Sequence, residues 1–157
     1  MASRKSGASP TTVEKAVLIQ ERLADADVLL VDDELFMRRL IGSMLRMIGI
    51  KKVEMAENGA IALRGIVERS TLPDLMVCDL EMPEMDGLTL LTHLRALPLP
   101  HDLPVIILTS HSNIDNIKNA VELGIHGFLA KPVTLNDLRA KVLAALTQGM
   151  IDTRRVR

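Results

Sequence analysis

The sequence VLLVDD at residues 28–33 is a run of four apolar residues that ends in two carboxylates. The same pattern returns at residues 75–79, which end in Asp79, and at residues 105–109, which end in Thr109. Short, continuous apolar runs are typical of strands that are buried on both faces of a parallel sheet. The three runs therefore predict the centre of such a sheet, with polar side chains at the carboxyl end of each strand.

Two further segments complete the predicted sheet. Residues 52–55 (KVEM) alternate polar and apolar side chains, as in a half-exposed edge strand, and residues 127–130 (GFLA) form the last strand. Apolar residues with helical spacing lie between the strands, and residues 134–137 (TLND) resemble a capping box before a final helix. Five strands alternating with five helices predict an α/β fold, with a doubly wound parallel sheet covered by helices on both faces.

The length of 157 residues favours one domain with short extensions. We assign the domain to residues 27–147. In the N-terminal extension, residues 1–26, the first ten residues are small and polar and are predicted to be disordered, whereas residues 11–26 are predicted to be helical. Residues 148–157 form a short, partly basic tail. The helix and the tail are candidate surfaces for a homodimer or for partner binding.

Composition argues against several classes of function. A net charge of −1 does not match nucleic acid, and Phe36 and Phe128, the only aromatic residues, offer little for stacking on bases or sugars. Cys78, the only cysteine, lies in an apolar run and is predicted to be a buried, inert thiol. The sequence shows neither a secretory signal nor an apolar run of about 20 residues, so we expect no membrane insertion and a cytoplasmic location.

Polar residues at the ends of four predicted strands point to a single site. Ligands of open α/β sheets bind beyond the carboxyl ends of the strands, where we expect these side chains to converge. Carboxylates that are crowded together either raise their pKa values or recruit a cation, and an all-oxygen set suits Mg²⁺ or Mn²⁺ rather than zinc. A lysine and a hydroxyl beside that cation could bind phosphate, and one carboxylate could act as a nucleophile. The residues are Asp32, Asp33, Asp79, Thr109 and Lys131.

Each of these residues also has a simpler explanation. Asp32-Asp33 could cap the following helix, Asp79 could be a turn residue, and Lys131 could be a solvated loop lysine. Thr109 and Ser110 could cap the next helix. No single residue outweighs its simpler explanation, but complementary chemistry at four strand ends together favours the site.

The motifs at these strand ends resemble those of the receiver domain of bacterial two-component response regulators. The resemblance rests on VDDE (31–34), DLEMPEMDG (79–87), ILTS (107–110) and FLAKP (128–132), in that order and spacing. It implies a flavodoxin-like sheet with the strand order 2-1-3-4-5. It also implies that the bond before Pro132 is cis and that Gly87 serves a tight turn.

The resemblance also implies roles for the site residues. Asp79 would accept a phosphoryl group from a histidine kinase or a histidine phosphotransfer protein. Asp33, Asp79 and the backbone carbonyl of Glu81 would ligate Mg²⁺, and Asp32 would act through a water molecule. Thr109 and Lys131 would hold the phosphoryl oxygens, since phosphoryl transfer depends mainly on positioning and charge neutralisation.

A switch is implied as well. Phosphorylation would draw Thr109 inward and let Phe128 rotate, which would change the surface of the fourth helix, fifth strand and fifth helix of the domain. A phenylalanine at 128, where related chemotaxis proteins often have tyrosine, gains no hydrogen bond in its inward rotamer; it could equally be a core residue. Glu81 and His111 occupy positions that tune phosphate lifetime in this family. We expect the other histidines, at 93, 101 and 126, to be superficial.

Three functional hypotheses follow from the sequence. The leading one is a stand-alone response regulator, not an enzyme, that binds a kinase and a downstream protein rather than DNA. The second is a Mg²⁺-dependent phosphatase or phosphotransferase with an aspartyl intermediate. Such enzymes usually carry an Asp-x-Asp pair on the first strand and a cap insertion, whereas this strand is followed by adjacent Asp32 and Asp33 and the loops look too short for a cap. The third is an unphosphorylated adaptor, which the intact set of five site residues disfavours.

Overall fold

Five parallel strands lie side by side in the order β2-β1-β3-β4-β5. The computed structural model describes residues 10–110 and 114–150. The strands are β1 (Asp27–Val31), β2 (Lys52–Ala56), β3 (Leu75–Asp79), β4 (Val105–Thr109) and β5 (Gly127–Ala130). Both the doubly wound fold and the strand order are as the sequence and the family resemblance predicted.

The described residues also form six helices: α1 (Thr12–Asp25), α2 (Leu35–Ile48), α3 (Gly59–Glu68), α4 (Gly87–Ala96), α5 (Ile114–Leu123) and α6 (Leu135–Met150). In the ranges that the structure describes, no helix is long and apolar enough to cross a membrane. Nine of the ten N-terminal residues predicted to be disordered, and residues 151–157 of the predicted tail, lie outside the described residues.

The strand register brings the polar strand ends to one edge of the sheet. Val31 pairs with Cys78, so the residues that follow β1 lie beside the end of β3. Asp79 pairs with Leu108, and Thr109 pairs with Ala130. Because all the strands are parallel, these pairings place the predicted site residues together at the carboxyl edge.

Successive strand residues point to opposite faces of the sheet and pack into two hydrophobic cores. On one face, Leu30, Val77 and Ile106 belong to a buried cluster with side chains of α1, α2 and α6. On the other face, Leu29, Met76 and Ile107 belong to a cluster with side chains of α3, α4 and α5. The central strands β3 and β4 are buried along their whole length, whereas β2 alternates and is exposed at the edge, as predicted.

Side-chain caps define where several helices begin. Asp86 accepts a hydrogen bond from Thr89 N (2.7 Å) at the start of α4, and Asn58 does the same for Ile61 N (2.8 Å) at α3. Thr134 accepts a bond from Asp137 N (3.2 Å), which is one of the two bonds of the capping box predicted for α6. Such caps each contribute about 1 kcal/mol. The capping box of α1, between Thr11 and Glu14, was not predicted.

The N-terminal helix is part of the folded structure. Leu23 and Ala26, at the end of α1, are fully buried in the core that contains α2 and α6. Val13, Val17 and Leu18 remain exposed on the same helix. The predicted helix is therefore present, and its last turn packs against the domain.

Gly87 begins α4 because a side chain there would collide with the end of β3. A Cβ atom at position 87 would lie 2.6 Å from the Asp79 carbonyl oxygen and 2.9 Å from Leu80 Cα. The N–H of Gly87 donates to the carbonyl of Leu80 (2.9 Å). Close backbone approach, rather than the conformational freedom of a tight turn, therefore requires glycine at this position.

We expect Gly87→Ala to lower the free energy of unfolding by about 2–3 kcal/mol, since the backbone of β3 or α4 must shift to admit the methyl group. Gly65→Ala is the matched control, because the same methyl group in α3 meets no atom within 4 Å. It should raise stability by about 0.5–1 kcal/mol through the helix propensity of alanine. Urea unfolding measures both changes, and equal midpoints for the two variants would contradict this account.

Cys78 is fully buried in β3, and its thiol donates to the carbonyl of Asp79 at 3.2 Å. Burial raises the pKa of the thiol, and the neighbouring carboxylates raise it further. A thiol without thiolate character is unreactive. The prediction of a buried, inert cysteine is therefore confirmed.

The prediction that His126 is superficial is wrong. His126 lies partly buried just before β5. The imidazole Nδ1 accepts a hydrogen bond from Val105 N (3.3 Å), and the backbone N–H of His126 donates to the Val105 carbonyl (2.7 Å). Burial lowers the pKa of His126, and nearby Arg95 lowers it further, against an opposing effect of Asp102. The neutral imidazole therefore matches this position, whereas His93 and His101 are exposed.

Stability should fall in acid partly because of His126. Since its folded pKa lies below the unfolded value of about 6.5, neutral His126 stabilises the fold above that value, and the contribution is lost as the pH falls through the folded pKa. We expect this contribution to the free energy of unfolding to be about 1 kcal/mol, because it comes from the single hydrogen bond with Val105. Urea unfolding between about pH 7.5 and about pH 5 should show less pH dependence for His126→Asn than for wild type. His93→Asn is the control; equal pH dependence in both variants would refute the assignment.

Candidate functional site

Three carboxylates meet where β1 and β3 end. One oxygen from each of Asp32, Asp33 and Asp79 lies within 4.8 Å of the other two. Asp32 and Asp79 are buried, at 0% and 2% exposure, and Asp33 is more exposed. The sequence prediction that these residues converge is therefore correct in its geometry.

The surroundings of the three carboxylates make a cation favourable. Burial raises the pKa of Asp32, and it raises the pKa of Asp79 to about 6. Asp32 Oδ1 accepts a bond from Glu34 N (2.9 Å), but buried Oδ2 has no hydrogen-bond partner among the residues that the structure describes. A buried carboxylate oxygen without a donor is costly unless a cation balances it. The all-oxygen set fits Mg²⁺ or Mn²⁺.

Asp32 and Asp33 do not cap the following helix. The N-cap of α2 is Glu34, whose side chain makes no capping bond. The Asp32 carbonyl instead accepts a bond from Arg38 Nη1 at 2.7 Å, which ties α2 to the end of β1. The capping explanation for this pair is therefore wrong.

Lys131 supplies the positive charge of the site. Its Nζ lies 2.9 Å from Asp79 Oδ1, and its backbone N–H donates to the Thr109 carbonyl at 2.8 Å. Burial alone would lower the pKa of Lys131, but the contact with Asp79 and the charges of Asp32 and Glu81 together raise it. The ammonium is therefore a fixed part of the site rather than a solvated loop group. The Lys131–Pro132 bond is cis, as the resemblance implied.

Thr109 ends β4 beside Asp79 and is 2% exposed. Its hydroxyl donates to Glu81 Oε1 at 3.0 Å, and the Ser110 carbonyl is a second acceptor at the longer distance of 3.2 Å. The same Glu81 oxygen accepts bonds from the Ser110 backbone N–H (3.1 Å) and the Ser110 hydroxyl (2.9 Å). We expected the backbone carbonyl of Glu81 to matter as a ligand. The engagement of its side chain with Thr109 and Ser110 was missed.

The segment between β3 and α4 holds Glu81 in place. Leu80 N donates to the Leu108 carbonyl (2.8 Å), and Met85 N donates to the Pro83 carbonyl (2.8 Å). Glu84 adopts a φ of 65°, in the left-handed region that few non-glycine residues occupy. The backbone on both sides of Glu81 is therefore fixed by its own hydrogen bonds.

The remaining predicted site residues are Phe128 and His111. Phe128 lies on β5, where it pairs with Ile107, and its side chain is 44% exposed. The suggestion that it is a core residue is therefore wrong for this conformation. His111 lies outside the described residues.

Comparisons with known proteins agree with this geometry. A family model for the response regulator receiver domain matches residues 28–143. The Regulator of RpoS from Escherichia coli is 37% identical over 133 residues, which cover 84% of this chain and 38% of that protein. Chemotaxis protein CheY-3 from Vibrio cholerae is 33% identical over 115 residues, which cover 73% of this chain and 87% of that protein. The chain thus spans well under half the length of the first of these relatives.

Solved structures share the fold. A response regulator receiver domain protein from Clostridium thermocellum superposes with a TM-score of 0.73 at 31% identity, covering 80% of this chain and 98% of that one. The receiver domain of a Pseudomonas aeruginosa sensor histidine kinase superposes with a TM-score of 0.68 at 25% identity, covering 78% and 98%. That structure has a magnesium ion coordinated in its active-site cleft.

The family match covers most of the chain. The three carboxylates, Thr109 and Lys131 lie together at one edge of the sheet, as the resemblance to this family implied. One of these relatives is a regulator and the other a chemotaxis protein, and the matched region contains every residue of the acidic site. The chain therefore belongs to the family of response regulator receiver domains.

Proposed function

We propose that this protein accepts a phosphoryl group on Asp79 and acts as a switch in two-component signalling. The observation that carries the proposal is the position of the Asp79 carboxylate. It lies 2.9 Å from Lys131 Nζ and within 4.8 Å of the oxygens of Asp32 and Asp33. A buried carboxylate between a fixed ammonium and an acidic cation site has both the nucleophile and the charge neutralisation that phosphoryl transfer needs.

The chemistry begins with the ionised carboxylate. With a pKa of about 6, Asp79 is mostly ionised at neutral pH despite its burial. One carboxylate oxygen attacks the phosphorus of a phosphohistidine on a histidine kinase or phosphotransfer protein. The P–N bond breaks, the imidazole nitrogen keeps the electron pair and gains a proton, and Asp79 becomes an acyl phosphate. Lys131 neutralises charge on the phosphoryl oxygens while the acyl phosphate forms.

The side chains of Asp32, Asp33 and Asp79 fit Mg²⁺, or Mn²⁺ in its place, and the Glu81 carbonyl is a fourth candidate ligand. Such an ion, when bound, supplies charge that draws the phosphoryl oxygens towards Asp79. The unpartnered Oδ2 of Asp32 supports this assignment. The residues themselves hold the site open at the edge of the sheet, because the ends of β1, β3, β4 and β5 fix their backbone positions.

The switch would run through Thr109 to the surface of α5, β5 and α6. Thr109 pairs with Ala130 across β4 and β5, two residues from Phe128. Phe128 is already half exposed on that surface, so an inward rotation would remove an aromatic side chain from the protein's exterior. We propose that a downstream protein reads this change. His111 and Glu81 would adjust how long the phosphoryl group lasts.

The cellular setting is part of the same proposal. We place the protein in the cytoplasm, as a regulator that acts on protein partners rather than on DNA. A homodimer through α1 is compatible with Val13, Val17 and Leu18, which are exposed on that helix.

The test is incubation with acetyl phosphate and Mg²⁺, followed by intact mass measurement and peptide mapping. We expect one hydroxylamine-sensitive acyl phosphate, located at Asp79 and absent when EDTA replaces Mg²⁺. A protein that gains no phosphoryl group would refute the proposal. Sustained turnover of an unrelated small phosphoester would instead favour the phosphatase hypothesis.

A further inference from the structure

The Glu81 carboxylate engages the Thr109 hydroxyl, which the proposed function assigns to the phosphoryl oxygens. Its Oε1 accepts hydrogen bonds from the Thr109 hydroxyl (3.0 Å), the Ser110 N–H (3.1 Å) and the Ser110 hydroxyl (2.9 Å). Three donors on one carboxylate oxygen form a small anion-binding pocket at the end of β4. The carboxylate of Glu81, a residue of the same chain, occupies that pocket.

Carboxylate and phosphoryl oxygens compete for the same kind of donor. Both are anionic acceptors, and bonds from hydroxyl and amide donors to an ionised acceptor are about twice as strong as neutral ones. Thr109 has one hydroxyl proton, so it can donate to Glu81 or to a phosphoryl oxygen but not to both. A phosphoryl group on Asp79 also brings a second negative charge close to Glu81, and like charges repel.

We infer that Glu81 is an internal competitor of the phosphoryl group: its carboxylate holds Thr109 and Ser110 in the unphosphorylated arrangement, and the switch turns on only when the phosphoryl group displaces it. This inference rests on the proposed function, since it concerns the same site. It assigns the Glu81 side chain a role in the energy of switching, separate from that of its backbone carbonyl.

The local structure favours competition over passive packing. Leu80 N is bonded to the Leu108 carbonyl, so the backbone before Glu81 is anchored to β4 without help from the Glu81 side chain. Gly87 N is bonded to the Leu80 carbonyl, which closes the same segment at its other end. The side chain can therefore leave Thr109 and Ser110 while the segment keeps its fold.

The test uses beryllofluoride, a phosphoryl analogue, on the full chain at saturating Mg²⁺. Binding is followed by the amide resonance of Ser110 and the methyl resonance of Thr109. Glu81→Ala should bind beryllofluoride about tenfold more tightly than wild type, and Glu81→Gln should lie between them, because an amide oxygen is a weaker acceptor than a carboxylate. Glu84→Gln removes a charge from the same segment and should bind as wild type does.

A double-mutant cycle with Thr109→Val separates competition from a general charge effect. If Glu81 acts through the Thr109 hydroxyl, the gain from Glu81→Ala should shrink in the Thr109→Val background. An equal gain in both backgrounds, or a gain of the same size in Glu84→Gln, would overturn the inference. So would unchanged or weaker binding by Glu81→Ala while wild type binds. If wild type itself fails to bind, the proposed function fails, and the inference fails with it.

Discussion

Asp79→Asn is expected to abolish acyl-phosphate formation while the chain stays folded. An amide oxygen is not a nucleophile towards phosphorus, and no other carboxylate among the described residues has its oxygen beside Lys131 Nζ as Asp79 Oδ1 does. Asparagine has nearly the same shape as aspartate, so the packing at the end of β3 should persist. Intact mass after incubation with acetyl phosphate and Mg²⁺ measures the phosphoryl content directly, and a thermal melt confirms that the variant is folded.

Asp86→Asn is the matched control for that experiment. Asp86 lies in the segment that follows Asp79 and caps α4 through its bond to Thr89 N. Asparagine caps helices about as well as aspartate, so the variant removes one nearby negative charge without loss of the cap. We expect it to gain a phosphoryl group as wild type does. Phosphorylation of Asp79→Asn at the wild-type level would mean that another residue is the acceptor.

Asp32→Asn and Asp33→Asn should each weaken Mg²⁺ binding by at least about tenfold, because Mg²⁺ relies on carboxylate ligands and each substitution removes a full charge next to the ion. Amide chemical shifts during a Mg²⁺ titration give the affinity. In wild type, Mg²⁺ at about a hundred times its Kd should add about 2.7 kcal/mol to the free energy of unfolding. The two variants should show much less of this stabilisation at the same Mg²⁺ concentration.

Glu34→Gln controls for the loss of charge near β1. Glu34 is exposed and adjoins the pair, but its carboxylate is not in the three-residue acidic cluster. It should retain wild-type Mg²⁺ affinity to within about twofold, the range expected of a screened surface charge. Wild-type affinity in Asp32→Asn and Asp33→Asn would show that the ion binds elsewhere.

The parts of the fold that depend on pattern could be predicted from the sequence. The apolar runs of β1, β3 and β4 mark strands buried on both faces, and the alternation in residues 52–55 marks an edge strand. Because parallel strands share one carboxyl edge, the sequence alone was enough to predict that Asp79 and Thr109 lie close together. The capping pattern at Thr134 likewise needs only local sequence.

The direction of individual side chains could not be predicted in this way. Glu81 turns to Thr109 and Ser110 because the backbone N–H at the end of β4 is directed towards it, and that depends on the conformation of two loops. His126 is held by the backbone of Val105, which lies 21 residues away in sequence. Gly87 is required by an approach to the Asp79 carbonyl that only the packed structure reveals. Each case depends on contacts between distant segments.

The burial of Leu23 also determines where the chain can be cut. The family match begins at residue 28, yet Leu23 is 2% exposed in the core of α2 and α6, beside Gly49. A fragment that starts at residue 28 would lose this side chain and leave a cavity that costs roughly 2–5 kcal/mol by analogy with Leu→Ala substitutions. The matched residues, 28–143, therefore leave out buried core side chains at both ends of the folded domain: Leu23 and Ala26 before the match, and Ala145 and Leu146 after it.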